Sequence, residues 1–512
     1  MAMRCSSSHD RLAERLSSGY GEHVSDITIG SMLDGLDVRP LRGAADVLAR
    51  RVVEDSRRVQ PGDVFLARPG DQRDGRTFIP AAERAGAVAI LSDQSGCEAA
   101  TGPALCSASL GHVGAVLAHR FCGDPSHFIP VVGVTGTNGK TTVTTLLQQL
   151  LAGVRPCGLM GGVTIDDGAI QRDATLTTPM ADEVASWLAS SRGTGCGHAV
   201  MEVSSHALSQ SRVDGIRFAA AVCTNLSGDH LDYHGTMEAY AASKRALFER
   251  LDADAICVIN ADDPAVRDMA VGCEGRVIMC SLEGTGDVLG SVSSVDCSGV
   301  DMQVKACTGT VNVRVPLPGR HNAMNALQAL AVAEAFGEDL SQVAGRLGQA
   351  RGPVGRLELV SQSPSVLVDF AHTDGALEAV LRSLDEVKAG RIIVVVGCGG
   401  DRDRTKRPRM ARVASNFADL VWFTSDNPRT EDPLAILDDM VGGVAREHLP
   451  RLHVQPDRSL AIEEAIAEAK PDDIVLIAGK GHERYQLIEG NSIPFDDRAV
   501  AMRAIESASR SS

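Results

Sequence analysis

Residues 133–142 read Gly133-Val134-Thr135-Gly136-Thr137-Asn138-Gly139-Lys140-Thr141-Thr142. An apolar run, Phe128-Ile129-Pro130-Val131-Val132, precedes them, and a helix-like segment from Val143 to Leu151 follows. Strand, glycine-rich turn and helix form the context a phosphate-binding loop needs. Glycines let the backbone fold close around an anion, so that amide N–H groups and a helix N-terminus face it. Lys140, at the end of a solvent-facing loop, would bring a positive charge to the β- and γ-phosphates, and Thr141 a hydroxyl for Mg²⁺. The spacing departs from G-x-x-x-x-G-K-[ST], since Val134 stands where glycine is expected. The competing reading is an ordinary strand-to-helix turn; Gly-Lys-Thr in this context favours an ATP site.

The loop sits in a chain of 512 residues, too long for one hydrophobic core. Mean hydropathy is near zero, as in globular proteins. The formal net charge of −16, with no long run of one sign, argues against a general nucleic-acid binder. Met1 to His23 alternates charges and serines without an apolar stretch, so no secretory signal is expected. No apolar stretch is long enough for a transmembrane helix. The 13 cysteines are scattered and never spaced C-x-x-C, which fits a reducing, cytoplasmic setting.

Three α/β blocks are expected: residues 1–110, 111–352 and 353–512. The first holds a strand at Asp63-Val64-Phe65-Leu66-Ala67, a helix from Ile79 to Ala85 and a strand from Ala87 to Leu91. The second opens on an amphipathic helix near Gly111. Its strands, Ala199 to Val203, Ala219 to Cys223 and Ala255 to Ile259, alternate with helices as in a parallel sheet covered on both faces. Ser281 to Pro318 reads as short antiparallel strands inserted before a helix, Asn322 to Phe336. The third block alternates again, with strands at Val366 to Val368, Ile392 to Val396, Leu420 to Phe423 and Ile474 to Ile477, and a helix from Leu460 to Ala469. It is a second doubly wound, Rossmann-like unit, with functional loops expected after the strand C-termini.

Polar residues crowd the strand ends. Glu202 is followed by Ser204, Ser205 and His206; the next strand runs into Thr224-Asn225-Leu226-Ser227-Gly228-Asp229-His230-Leu231-Asp232. A carboxylate and an imidazole at adjacent strand tips could bind a metal beside a nucleotide. H-E-x-x-H is absent, which argues against catalytic zinc. Polar capping loops are the alternative.

Gly136 to Thr142, Glu202-Val203-Ser204-Ser205-His206, Asn225 to Asp232, His321-Asn322-Ala323-Met324-Asn325-Ala326, Asp369-Phe370-Ala371-His372-Thr373 and Ala478-Gly479-Lys480-Gly481-His482-Glu483 occur in this order. Together they resemble the Mur ligases of peptidoglycan synthesis, from about Asp55 to the C-terminus. Gly399-Gly400-Asp401-Arg402-Asp403 and Asp426-Asn427-Pro428-Arg429 resemble the branch of that family that adds meso-diaminopimelate.

The resemblance implies an N-terminal UDP-binding domain, a central P-loop ATPase domain and a C-terminal amino-acid-binding domain. The reaction it implies is ATP-dependent joining of meso-diaminopimelate to UDP-N-acetylmuramoyl-L-alanyl-D-glutamate through an acyl phosphate, by a cytoplasmic monomer without nucleic-acid or membrane partners. It implies catalytic roles for Lys140, Glu202, His230 and Lys244. Mg²⁺ would be held by Thr141, Glu202, His230 and a Lys244 carbamylated by CO₂. On composition alone Lys244 reads as a lysine on a solvated helix face. ATP contacts are implied for Gly136, Thr137, Asn138, Gly139, Lys140, Thr141, Thr142, Asn322, Arg356 and Asp369.

The UDP-muramoyl-dipeptide would meet Ser56, Asp71, Gln72, Arg73, Thr177, Thr178, Ser204, Gln210 and Arg212. Diaminopimelate would meet Arg402, Asp426, Asn427, Pro428, Arg429, Gly479 and Glu483. Two departures from the family pattern, Phe370 for Tyr and Asp374 for Pro, are expected to touch no group essential to the chemistry. L-lysine as the added amino acid is an alternative that Asp426 to Arg429 argues against. Folylpolyglutamate synthetase would lack the UDP-binding block, and an inactive ATP-binding scaffold need not have kept Lys140, Glu202, His230 and Lys244.

Overall fold

The computed structural model describes residues 27–70 and 73–511. Its centre is an eleven-stranded sheet built around the strand Val131–Thr135. Parallel neighbours lie on either side of this strand, His198–Glu202 on one edge and Phe218–Cys223 on the other. The order therefore reverses at the strand that carries the phosphate loop, which is where open α/β sheets bind ligands. Successive side chains of a strand point to opposite faces. Val132 and Val134 accordingly pack with Leu146, Leu150 and Leu327, while Val131 packs with Trp187, Phe218 and Phe248.

Beyond Arg276–Ser281 the sheet continues through Val288–Asp296, Gly299–Ala306 and Gly309–Val315. This region was expected as short inserted strands. The strands are instead long, and the first pairs in parallel with Arg276–Ser281, so they extend the main sheet. Arg320–Ala335 crosses behind them and is buried without interruption from Asn322 to Ala333.

A five-stranded sheet forms the N-terminal unit, in the order Arg39–Leu41, Ala104–Cys106, Ala89–Ser92, Asp63–Ala67, Arg51–Val53. The helix Leu110–Phe121, assigned from sequence to the central block, lays Leu110, Val113, Leu117 and Phe121 into the core of this small sheet. Ala185, from the central helix Ala181–Gly193, joins the same cluster, so the two units share a core.

The third unit has six strands in the order Glu358–Gln362, Ser365–Asp369, Ile474–Ala478, Ile392–Val396, Leu420–Phe423, Leu452–Val454; all but the first pair run parallel. Among the described residues no helix is long and apolar enough to cross a membrane, and every cysteine is free. Met1 to His23, Asp71 and Gln72 lie outside the described residues.

Candidate active site

The phosphate loop is possible only with glycine at two points. Gly136 has φ 139°, and a Cβ there would lie 1.9 Å from Thr224 Oγ1. Gly139 has φ 84°, and its Cβ would lie 2.5 Å from Asn325 Oδ1. The loop is braced by the segment after Phe218–Cys223: Asn138 N donates to Asn225 Oδ1 at 2.9 Å and Thr224 Oγ1 donates to Asn138 O at 2.6 Å. Asn322 spends its amide locally, donating to Pro318 O at 2.7 Å and accepting from Asn325 at 3.0 Å, so Asn325 is fixed behind Gly139.

Lys140 does not face solvent at the end of a loop, as the sequence had suggested. It opens the helix Lys140–Leu151, with Thr141 and Thr142 in the same turn, and its Nζ donates to Gly136 O at 3.0 Å and Thr137 O at 2.8 Å. Burial lowers its pKa; Glu202 works against that shift and Arg356 adds to it. The amine therefore occupies the concave side of its own loop.

Lys244 is on no solvated face. It lies in the helix Met237–Arg245, is 1% exposed, and donates from Nζ to Gly136 O at 2.8 Å. The amine sits 4.5 Å from the centre of the Tyr240 ring. Burial, then repulsion from Lys140, pushes its pKa down to about 7.

Glu202 ends its strand with 2% exposure, its Oε1 accepting from Gly162 N at 2.8 Å. A Cβ at Gly161 would come within 2.6 Å of the same oxygen, and Thr177 Oγ1 flanks Gly162. This glycine pair was not singled out in the sequence, although two glycines facing a strand-end carboxylate are a readable sign of close backbone approach. Thr141 and Glu202 line one cavity of about 110 Å³, closed on another side by Gly352, Pro353 and Val354. His230 lies on the exposed loop, with φ 53°, its Nε2 3.5 Å from Asp229 and its ring edge-on to His206 at 4.8 Å. Among the described residues no three His, Cys, Asp or Glu side chains gather as a metal cluster.

Four of the residues expected around the muramoyl-dipeptide meet in one network. Thr178 Oγ1 donates to Glu202 O at 2.8 Å, and Ser204 N donates back to Thr178 Oγ1 at 3.1 Å. Arg212 donates to Thr178 O at 2.7 Å and to Gln210 Oε1 at 3.1 and 2.6 Å. Ser56 opens a short 3-10 turn capped by Asp55, and Arg73 is exposed.

From the third unit, Arg356 reaches toward Lys140, its guanidinium 4.8 Å from the Phe370 ring centre and its Nε buried without a partner. Phe370 was expected to lie apart from the chemistry; it is the platform on which Arg356 rests. Asp374 pairs with Arg409 at 3.0 Å. Asp369 accepts from Leu357 N and Ala371 N, each at 2.7 Å, holding Leu357 at φ 43°; burial raises its pKa and Arg356 restrains the rise.

Asp426, Asn427 and Pro428 are buried, and Gly479 (φ 116°) leads the facing loop. Glu483 Oε2 accepts from Asn427 Nδ2 at 2.8 Å. Arg429 donates to Gly400 O at 2.7 Å, so its guanidinium is partly engaged, while Arg402 is exposed. Lys480, quoted in its motif but given no role, is 0% exposed and joins the cluster at 3.0 Å from Asn427 Oδ1, 3.2 Å from Glu483 and 3.5 Å from Asp426. Arg407 was missed altogether. It is fully buried, pairing with Glu431 and Asp439 at 2.9 Å each, and so ties the loop at Gly399 to the one at Arg429.

Three family models match the chain: Mur ligase family, catalytic domain, at residues 50–110; Mur ligase middle domain at 134–333; and Mur ligase, glutamate ligase domain, at 355–481. A UDP-N-acetylmuramoyl-L-alanyl-D-glutamate–2,6-diaminopimelate ligase of Chromobacterium violaceum is 43% identical, over 89% of this chain and 94% of its own. A ligase of the same name from Synechococcus elongatus is 41% identical, over 91% and 96%. A solved structure of that name superposes with TM-score 0.69 at 32% identity, covering 94% of this chain and 99% of its own. A MurF ligase from Thermotoga maritima in complex with ADP shares the fold, with TM-score 0.60 at 20% identity over 90% of this chain and 97% of its own. The chain belongs to the Mur ligase family.

Proposed function

We propose that the protein joins meso-diaminopimelate to the γ-carboxylate of the D-glutamate in UDP-N-acetylmuramoyl-L-alanyl-D-glutamate, with ATP converted to ADP and phosphate, in cytoplasmic peptidoglycan precursor synthesis. The observation that carries this reading is the convergence of Lys140, Lys244 and Glu202 on one phosphate loop, in a chain similar along most of its length to relatives of that name. A carboxylate is a poor electrophile. Transfer of the γ-phosphoryl group to it gives an acyl phosphate and ADP; the amine of diaminopimelate then attacks the acyl carbon, and phosphate leaves with the bonding pair. Such chemistry is mainly positioning and charge neutralisation.

In this reading the N–H groups from Gly136 to Thr142 and the Lys140 amine hold the phosphates, Asn322 and Asp369 lie at the nucleoside, and Arg356 closes over the phosphates from the third unit. Arg212, Gln210, Ser204, Thr178 and Thr177 hold the acidic dipeptide, with Ser56, Asp71, Gln72 and Arg73 toward the UDP moiety. Arg402, Asp426, Asn427, Pro428, Arg429, Gly479 and Glu483 receive the amino acid. Residues 1–110, 111–352 and 353–512 are the corresponding domains, with the helix Leu110–Phe121 packed into the core of the first, in a monomer.

The residues fit Mg²⁺: a buried carboxylate and a threonine hydroxyl share a cavity, and Lys244 is near enough to neutral for CO₂ to convert it to a carbamate anion. Few protein ligands suffice, because Mg²⁺ completes its shell with water and substrate phosphates. Held by Thr141, Glu202, His230 and carbamylated Lys244, it would neutralise phosphate charge. The test is ADP release with the UDP-muramoyl-dipeptide, ATP and a panel of amino acids. ADP formation with meso-diaminopimelate and not L-lysine is expected; no diaminopimelate-dependent turnover would overturn the assignment.

A further inference from the structure

Gln210 closes the short helix Ser205–Ser209, and Ser211 beyond it adopts φ 59°, so the chain turns sharply before Arg212. Both ends of the Gln210 side chain are engaged: Oε1 accepts from Arg212, and Nε2 donates to Tyr233 OH at 3.3 Å. The turn's N–H groups bond within the segment, Gln210 N to His206 O, Ser211 N to Leu208 O and Arg212 N to Ala207 O, and the N-terminal unit supplies a contact to the Gln210 carbonyl. Arg68, one residue past Asp63–Ala67, donates from Nη1 to Gln210 O at 3.2 Å and from Nε to Glu54 Oε1. Its other nitrogen lies 3.9 Å from Met180 Sδ. A guanidinium against a carbonyl at a helix C-terminus is favourably placed.

The pair is sheltered, with Arg68 and Glu54 side chains 21% and 20% exposed. Glu54 also balances the charge. Burial first, and Arg68 second, disfavour the charged form of Arg212, and Glu54 acts in the opposite sense. A continuous path thus runs from Glu54 through Arg68 and Gln210 to Arg212, and from Arg212 through Thr178 to the strand end at Glu202.

We propose that Arg68, oriented by Glu54, is a positioning residue that sets the Arg212 guanidinium for the acidic end of the UDP-muramoyl-dipeptide. This inference rests on the function proposed above. Arg68 acts through Gln210 O and touches no reacting atom. It matches the UDP-binding unit to the dipeptide site of the central unit, so its loss weakens one substrate and spares the other two.

The experiment compares wild type, Arg68→Met and Arg68→Lys. It measures KM for each of the three substrates, kcat, Tm, and equilibrium binding of the UDP-muramoyl-dipeptide without ATP. In Arg68→Met, KM and Kd for the dipeptide should rise about tenfold, the scale of one charge-assisted hydrogen bond. In Arg68→Lys the rise should be about threefold, because an ammonium lacks the fork that reaches both acceptors. The KM values for ATP and diaminopimelate and kcat should hold, while Tm falls modestly because Glu54 loses its partner. Unchanged dipeptide KM and Kd would overturn the proposal; so would Tm, kcat and all KM values moving together, which marks a merely structural role. If Arg68→Met does not fold, Arg68→Lys decides on the same split. A wild-type enzyme that neither binds nor ligates the dipeptide would overturn the proposed function, and this inference with it.

Discussion

Lys244 and Lys140 donate to the same acceptor, the Gly136 carbonyl oxygen, at 2.8 and 3.0 Å. Two amines on one oxygen in a covered site repel when both are charged, and Lys244, at about 7, is poised to shed its proton near neutrality. One glycine carbonyl thus links the phosphate loop to a helix about a hundred residues downstream.

Lys244→Ala should be nearly inactive, and a short carboxylic acid in the buffer should partly restore turnover by replacing the missing anion. Failure of acetate or formate to rescue, at any concentration that wild type tolerates, would count against a carbamate at this position.

The same amine makes a prediction about stability. Its folded pKa of about 7 lies below the ordinary 10.5, so between these values the unfolded chain binds more protons than the folded one. Stability from this group therefore rises with pH across that window. In CO₂-free buffer Lys244→Met should flatten the rise, as read by denaturant midpoints from pH 7 to 10.

Lys140→Ala should fold and yet lose roughly 10²–10³ in kcat with ATP saturating, as expected for removal of a charge-stabilising group. Its Nζ bonds only to the Gly136 and Thr137 carbonyls of its own loop and is not part of an apolar core cluster, so its removal opens no hydrophobic cavity. Near-normal turnover would remove Lys140 from the phosphate site.

Arg429→Ala should lose diaminopimelate addition far more than ATP binding and narrow the preference over L-lysine, by about 10- to 150-fold for one charge-assisted hydrogen bond. Arg429 already donates to Gly400 O, so the lower part of that range is expected. Competition between the two amino acids at equal concentration measures it.

Lys480→Met should be markedly destabilising, by about 3 kcal/mol, because it strands the Asp426 and Glu483 carboxylates beside a buried methyl thioether. A Tm within a degree of wild type would show that the cluster does not need its cation.

The phosphate loop, its strand and its helix were legible from residues 128–151 alone, because glycine spacing and hydrophobic periodicity are local properties. The parallel sheets were legible for the same reason, as was the carboxylate of Glu202 at its strand end; His230 stands beyond the end of Phe218–Cys223, on an exposed loop. The long strands from Val288 to Val315 were misjudged as short, since their Ser, Gly and Asp content reflects a half-exposed sheet edge, not a break in pairing. That Phe370 meets Arg356 was not legible, because the two side chains come together only through the fold of the third unit.

By itself, then, the sequence determined the α/β class, the nucleotide loop and the family, all carried by contiguous motifs whose backbone requirements do not depend on distant residues. Tertiary structure alone decided that Lys244 is buried with its pKa lowered to about 7, that Lys480 holds Asp426, Asn427 and Glu483 together, that Arg407 ties two loops, and that Arg68 reaches Gln210 from the N-terminal unit. Each of these depends on burial and on a partner far away in the chain, and a side chain's desolvation and charge state exist only once the surfaces around it have met.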